Sequence, residues 1–157
     1  MQLIGEYECA IDAKGRIKLP TALLKQLGAS SSYLFTINRG FEKCLILYPK
    51  VIWDGIVEEI NQLNLFNKKN RDFVRYFYRG ATPVETDSSE RILLSKNLMD
   101  YAALEKDAVL FAYKDRIEIW AQKEYQSVLN DEPDDFSDLA EEVLGNLSQK
   151  PKFLKDE

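Results

Sequence analysis

Apolar and polar positions along the chain follow a pattern that occurs twice. Residues 12–28, with the sequence DAKGRIKLPTALLKQLG, align with residues 87–103, DSSERILLSKNLMDYAA, at an offset of 75 residues. The match covers charged and apolar positions together, so it indicates an internal repeat. The matched pairs are Asp12 with Asp87, Arg16 with Arg91, Leu19 with Leu94, and Leu23 with Leu98.

Each copy is predicted to contain a short strand that ends at a DxxxR turn, then a second strand, a helix and an apolar hairpin. Pro20 suits the first turn of a helix, Gly28 suits its end, and Ser95 is a natural N-cap in the second copy. The predicted second strands are 17–19 and 92–94, and the predicted hairpin turns are 38–43 and 114–115.

Two helical segments are predicted between the copies. In the first, apolar residues recur at helical spacing from Ile52 to Leu63. In the second, Phe73 and Phe77 are one turn apart, and residues 68–79 hold five Lys and Arg against one Asp. These basic residues form either a solvated helix face or a surface that meets DNA or an acidic neighbouring subunit. The aromatic residues are expected to pack in the core or an interface rather than to stack on bases.

A strand pair with a short helix cannot bury its own apolar face, but two copies can close on each other. We therefore predict a mostly β fold with short helices, in which two β-β-α-β-β repeats form a small barrel with pseudo-twofold symmetry. Residues 1–66 and 67–130 are the two predicted repeats of one compact domain, and residues 131–157 are expected to form a mobile acidic tail. Four apolar residues of this tail have the spacing of a short helix that would dock on a neighbour: Phe136, Leu139, Val143 and Leu147.

Composition argues against an enzyme or a metal protein. The chain has no histidine, so the side chain best suited to proton transfer near neutral pH is missing. Cys9 and Cys44 are too far apart for a CxxC-type zinc site, and we expect neither metal nor cofactor. No segment approaches the roughly 18 to 20 apolar residues of a membrane span, and the first residues lack a signal sequence, so a soluble, cytoplasmic protein is expected.

The net charge of −5 is distributed unevenly along the chain. Residues 1–130 carry 18 Lys and Arg against 17 Asp and Glu, whereas residues 131–157 carry 3 against 9. Affinity for DNA depends largely on cationic contacts to phosphate, which an acidic net charge disfavours. Because the acidity belongs to the tail, the repeats themselves remain compatible with DNA binding.

The DxxxR turn is the best candidate for a binding site. It places Lys14 and Arg16 at or beside a hairpin tip, and Gly15 can adopt a positive φ there. Basic groups on a two-stranded ribbon can reach phosphates and guanine edges in the major groove, while Asp12 would hold Arg16 in position. An ordinary charged turn, or a structural Asp–Arg pair in each half, explains the same residues equally well. The residues alone leave these alternatives open.

The motifs together resemble the bacterial MraZ family of transcriptional regulators. The resemblance covers residues 1–130 and includes DAKGRIKLP, RGFEKCLILYP, NKKNRDFVRYFYRGATPVETD and a second DxxxR. It implies a double-split β-barrel of the type found in AbrB, MazE and MraZ, and association of subunits into a ring. It also implies association with the nucleoid and binding to short repeats in double-stranded promoter DNA of the division and cell-wall gene cluster, usually as a repressor.

The family's DNA-contacting motif can be assigned by position. One departure from the family pattern is Glu90, which stands in the second copy where the motif usually has glycine. A carboxylate there would repel phosphate and change the turn, so the first turn is expected to be the stronger contact. The assigned residues are Asp12, Lys14, Gly15 and Arg16 in the first copy and Asp87 and Arg91 in the second.

Two other functions fit the sequence in part. One is an AbrB-fold antitoxin-like module, in which the barrel binds DNA and the acidic tail neutralises a toxin. Such modules usually form their barrel from two short chains, whereas this chain carries both halves. The other is a structural oligomer without a role on DNA. An enzyme is the least favoured reading, since the sequence offers no nucleophile–base pair or metal-ligand set.

Overall fold

The computed structural model of the chain describes residues 1–131 and 135–146. They fall in two compact units, Met1–Tyr125 and Gln126–Glu157. None of the helices in these described ranges has both the length and the apolar content that a bilayer crossing requires.

Strands and short helices follow one another in two similar series. The first series is β1 (Leu3–Ala10), β2 (Arg16–Lys18), α1 (Thr21–Gln26), β3 (Leu34–Arg39), β4 (Leu45–Pro49) and α2 (Lys50–Ile60). The helix α3 (Lys68–Tyr78) comes next. The second series is β5 (Thr82–Glu85), β6 (Arg91–Leu93), α4 (Lys96–Tyr101), β7 (Asp107–Lys114), β8 (Arg116–Ala121) and α5 (Gln122–Asn130).

The two series share one antiparallel sheet of six strands in the order β1-β7-β8-β4-β3-β5. Each edge strand pairs with the hairpin of the other repeat, β1 with β7 and β5 with β3. Exchanging β1 with β5, β3 with β7 and β4 with β8 gives the same order read from the opposite edge of the sheet. The predicted mostly β, double-split barrel with two pseudo-twofold-related repeats is therefore confirmed.

The strands β2 and β6 form a separate two-stranded sheet, called the ribbon below. Each strand comes from a different repeat, and each lies one residue earlier than the strand predicted from the sequence. The ribbon is anchored by Ile17 and Ile92, which are 0% and 1% exposed and belong to the same core as Ile37 and Leu47 of the large sheet. In register, Arg16 lies opposite Leu93, Ile17 opposite Ile92, and Lys18 opposite Arg91.

The helix signals in the sequence acquire definite roles. Ser95 caps α4, because its hydroxyl accepts a hydrogen bond of 3.3 Å from the backbone N–H of Leu98. Pro20 is the residue before α1 rather than part of its first turn, and its ψ of 136° is extended. Gly28 has a φ of +94° and follows Leu27, the C-cap residue of the same helix. Ser95 thus marks the start of α4, and Pro20 and Gly28 flank the two ends of α1.

Both cysteines are free thiols. Cys9 lies in the edge strand β1 and is partly buried, and Cys44 is buried immediately before β4. Burial raises the pKa of Cys9 to about 11 and that of Cys44 to about 12. Both therefore remain protonated near neutral pH.

The helix α3 is held to α2 through aromatic stacking and to the sheet through one buried amide. The rings of Phe77 and Trp53 stack with centroids 5.7 Å apart, which confirms the predicted packing role for these two residues. The side chain of Asn38, which is 1% exposed, donates to the carbonyl of Phe77 at 2.7 Å and accepts from the N–H of Arg39 at 2.8 Å. Tyr76 on the same helix is 75% exposed, so packing within the chain does not account for the whole aromatic cluster, and an interface role for Tyr76 stays a prediction.

The second unit contains α6 (Phe136–Gly145). This confirms the helix expected from the spacing of Phe136, Leu139 and Val143. Leu147, the fourth residue of that pattern, lies outside the described residues, as do 132–134 and 148–157. The mobility of the tail and the docking of its helix stay predictions.

We expect Asn38→Ala to destabilise the protein by about 1–3 kcal/mol, because it leaves the Phe77 carbonyl and the Arg39 N–H without their partner in a buried place. Urea denaturation gives the free energy of unfolding. Asn97→Ala, an exposed asparagine on α4, is the matched control and should change this value little. An equal loss in both variants would show that the buried amide has no special role.

Candidate nucleic-acid interface

The first DxxxR turn is built by the carboxylate of Asp12. Its Oδ1 accepts hydrogen bonds from the backbone N–H groups of Lys14 and Arg16, at 3.0 and 2.9 Å. Its Oδ2 accepts from the guanidinium Nε of Arg16 at 2.7 Å. Aspartate suits this position because its short side chain can satisfy the backbone two residues further on. A single carboxylate thus shapes the turn and positions the arginine.

The second turn has the same arrangement. Oδ1 of Asp87 accepts from the N–H groups of Ser89 and Arg91, both at 2.9 Å, and Oδ2 accepts from Arg91 Nε at 2.9 Å. The recurrence of the motif in the sequence therefore corresponds to recurrence of the geometry. The side chains of both arginines are 31% exposed.

The Asp–Arg hydrogen bond uses only the Nε of each guanidinium. Within residues 1–131 and 135–146, the two terminal nitrogens of Arg16 and Arg91 donate no hydrogen bond. A guanidinium fixed at Nε keeps its planar pair of terminal N–H groups for an external acceptor. That pair matches the O6 and N7 of a guanine or two oxygens of a phosphate.

The two turns are joined to each other by the ribbon. The carbonyl of Gly15 accepts from the N–H of Leu94 at 2.9 Å, and the carbonyl of Glu90 accepts from the N–H of Leu19 at 3.0 Å. Each turn therefore receives a backbone hydrogen bond from the other repeat. The structure brings Arg16 and Arg91 onto one short ribbon, although they are 75 positions apart in the sequence.

Two further residues of the ribbon are exposed and were not predicted as site residues. Ile17 and Ile92 face the core, so alternation along each strand places Lys18 and Leu93 on the opposite face. The sequence signal for these positions is the alternation of each isoleucine with its neighbour in a short predicted strand, which does not by itself show which face is exposed.

The residue immediately before the arginine is glycine in the first turn and glutamate in the second, and both have a positive φ. Gly15 has a φ of +85°, and a Cβ there would lie 2.9 Å from the backbone oxygen of Leu94. The first turn therefore requires glycine. Glu90 occupies the equivalent place with a φ of +62°, a left-handed conformation that costs a non-glycine residue about 1–2 kcal/mol. The second turn keeps its shape but contains local strain and an added negative charge.

Hydrogen bonding keeps both aspartates ionised. The backbone hydrogen bond from Arg16 lowers the pKa of Asp12 most, against the opposite effect of desolvation. The backbone hydrogen bond from Arg91 lowers the pKa of Asp87 in the same way. Each carboxylate is therefore charged at neutral pH and can hold its arginine.

The basic segment at residues 68–79 consists of α3 and its C-cap residue Arg79. It is separate from the ribbon strands β2 and β6 in the sequence. Asp72 lies 2.8 Å from the Nζ of Lys68 and 3.5 Å from Nη1 of Arg75. The positive charge of this helix is thus partly compensated by its one acidic residue. Whether this face or the ribbon residues contact DNA stays a prediction.

The amino-acid sequence matches one family model twice, at residues 3–76 and 77–147. The family is described as "MraZ protein, putative antitoxin-like". Three similar proteins carry the name transcriptional regulator MraZ. The protein of Christiangramia forsetii is 46% identical over 93% of this chain and 95% of its own length. The proteins of Flavobacterium psychrophilum and Cytophaga hutchinsonii are 44% and 39% identical over 93% and 89% of this chain, and over 94% and 93% of their own lengths.

We expect Asp12→Asn to lower stability at neutral pH, because the amide keeps Oδ1 as an acceptor but loses the charge and the second oxygen that hold Arg16. The pKa of Asp12 is depressed in the folded state, so the stabilisation is present above the ordinary value of 3.8 and is lost as pH falls through the lowered pKa. The difference between variant and wild type should therefore shrink on acidification. Urea denaturation at pH 7 and at successively lower pH measures it.

Asp100→Asn, an exposed carboxylate on α4, serves as the control and should show little difference from wild type at neutral pH. If Asp12→Asn is as stable as wild type at pH 7, the carboxylate does not organise the turn.

Proposed function

This chain belongs to the MraZ family of transcriptional regulators, a family without enzymatic activity, and we propose that it regulates transcription by binding short repeated sites in double-stranded DNA. The bound sites are proposed to lie in the promoter of the division and cell-wall gene cluster, where the protein acts as a repressor and is associated with the nucleoid. The contacts are proposed to be made by Arg16 and Lys14 in one turn and by Arg91 in the other.

The observation that carries this proposal is the ribbon with two arginines, each fixed at Nε by an aspartate. The major groove of B-form DNA, about 12 Å wide, admits a two-stranded ribbon. Arginines that are already positioned lose less conformational entropy when they bind than free side chains do. The exposed Lys14 and Lys18 add charges that can contact phosphate on either side.

Local charge on the ribbon explains how an acidic protein can bind DNA. The outward side chains Arg16, Lys18 and Arg91 are basic, and the carboxylates of Asp12 and Asp87 are used internally by the turns. The excess of acidic residues lies in 131–157. Phosphate contacts depend on charge within about one Debye length, roughly 8–10 Å, and not on the net charge of the chain.

We also propose that the protein acts as a homo-oligomeric ring. Exposed aromatic side chains support this, since Phe41 is 90% and Tyr76 is 75% exposed, and both lie beside Phe73 around an apolar depression of about 210 Å³. Large exposed apolar groups clustered on one surface are typical of protein–protein contacts. Linked subunits would bind neighbouring repeats with far greater avidity than a single ribbon.

We expect Arg16→Ala to weaken binding to a duplex with direct repeats from the protein's own upstream region by about five- to 150-fold, since a lost bidentate contact costs about 1–3 kcal/mol. Arg16→Lys keeps the charge but loses the planar fork, so it should restore only nonspecific, salt-sensitive binding. Fluorescence anisotropy at several salt concentrations, with a scrambled duplex for comparison, measures both effects.

Lys50→Ala removes one positive charge on α2 and is the control for total charge. It should bind as wild type does. If wild type is folded and oligomeric but does not prefer the repeats at low salt, the DNA-binding proposal is wrong. An antitoxin-like module or a structural oligomer would then be the better explanation.

We expect Glu90→Gly to raise affinity for the repeats severalfold. The change removes a negative charge beside the proposed phosphate contacts. It also lets the second turn keep its positive φ without the strain that a side chain causes there. Glu90→Gln removes the charge but keeps a side chain in the left-handed conformation. The same binding titration on both variants separates the two effects, because an electrostatic cause raises affinity in both and a conformational cause only in the glycine variant. Unchanged affinity in both would show that the second turn does not contact DNA.

A further inference from the structure

The ribbon has one exposed apolar residue among its cations. Leu93 is 58% exposed, whereas its neighbours Ile92 and Leu94 are 1% and 3% exposed. The burial of the neighbours fixes the direction of the side chain, because successive residues of a strand point to opposite faces. The structure therefore holds a leucine on the same face as the two fixed arginines, where it does not pack in the core.

The position of Leu93 relative to Arg16 is set by the strand register. The two residues are directly opposite each other in the antiparallel pair. Side chains in such pairs start from Cβ atoms about 4.5–5.5 Å apart and project from the same face. An external ligand that accepts hydrogen bonds from the terminal nitrogens of Arg16 therefore brings its neighbouring groups against Leu93.

In the major groove, one base edge offers an apolar group, the C5-methyl of thymine. Successive bases of one strand are about 3.4 Å apart along the helix axis, which is within reach of two side chains that leave the ribbon side by side. We propose that Leu93 contacts the methyl group of a thymine next to the guanine that Arg16 binds. This inference rests on the proposed DNA-binding function and adds a specificity-determining residue to it.

The equivalent position of the other repeat supports a base-specific role. Lys18 takes the place of Leu93 there and lies opposite Arg91. One end of the ribbon thus presents an arginine with a leucine, and the other end presents an arginine with a lysine. Two cations suit phosphates, and phosphate contacts carry no sequence information. An arginine with a leucine discriminates between base sequences by both hydrogen bonding and apolar contact.

Thymine-to-uracil substitution tests this contact directly, because deoxyuridine lacks only the C5-methyl and keeps the base pair. The guanine contacted by Arg16 is first located with 7-deazaguanine, whose substitution should weaken wild type but not Arg16→Ala. Each thymine of the repeat is then replaced singly by deoxyuridine. We expect one substitution, next to that guanine, to weaken wild-type binding about three- to tenfold.

The same substitution should have no effect on Leu93→Ala, and it should still weaken the matched variant Lys18→Ala. Both variants should match wild type in size-exclusion chromatography and thermal melting, which confirms that fold and assembly are kept. If no deoxyuridine position affects wild type while binding remains dependent on salt and Arg16, the thymine contact is wrong and the DNA-binding function stands. Equal sensitivity of Leu93→Ala and wild type also overturns the contact. Absence of any selective binding by wild type overturns both proposals.

Discussion

The exchange of strands between the two repeats is the constraint on which the rest of the structure depends. Neither repeat can complete its own half of the sheet, because β1 pairs with β7 and β5 pairs with β3. The ribbon likewise needs one strand from each repeat, and its central pair, Ile17 and Ile92, faces the core. Burial of these apolar faces, which a single repeat would leave in water, stabilises the assembled barrel.

On this scaffold, each DxxxR turn fixes a long charged side chain, Arg16 or Arg91, at the surface. An exposed ion pair alone contributes little, because holding both side chains costs conformational entropy. Here Asp12 is already held by two backbone N–H groups, so the cost of ordering it is met by the turn itself. The arginine then needs only to add its Nε. Asp87 and Arg91 have the same arrangement on the other strand.

Much of this arrangement could be predicted from local sequence. The coincidence of Asp12, Arg16 and Leu19 with their counterparts predicted two related units, since short-range motifs determine turns and short helices. The sequence did not predict that Leu93 faces outward beside Arg16. That fact depends on strand register between residues far apart in the chain, and a shift of one residue would bury it. Helical spacing predicted packing for Phe73 and Phe77, but local sequence did not separate core from interface within the aromatic cluster, and the assembled fold leaves Tyr76 75% exposed.

The unequal chemistry of the ribbon gives the protein a polarity that its backbone does not have. Rotation by 180° about the pseudo-twofold axis superimposes the strands but exchanges Leu93 with Lys18. In the proposed DNA complex, the two ways of placing one subunit on a duplex are therefore chemically distinct, even though they are nearly identical in shape. If subunits assemble as proposed, those that share one orientation follow repeats arranged head to tail, whereas an inverted repeat presents half of them with the wrong end. Side-chain asymmetry on a symmetric frame would thus give the proposed assembly a direction along a promoter.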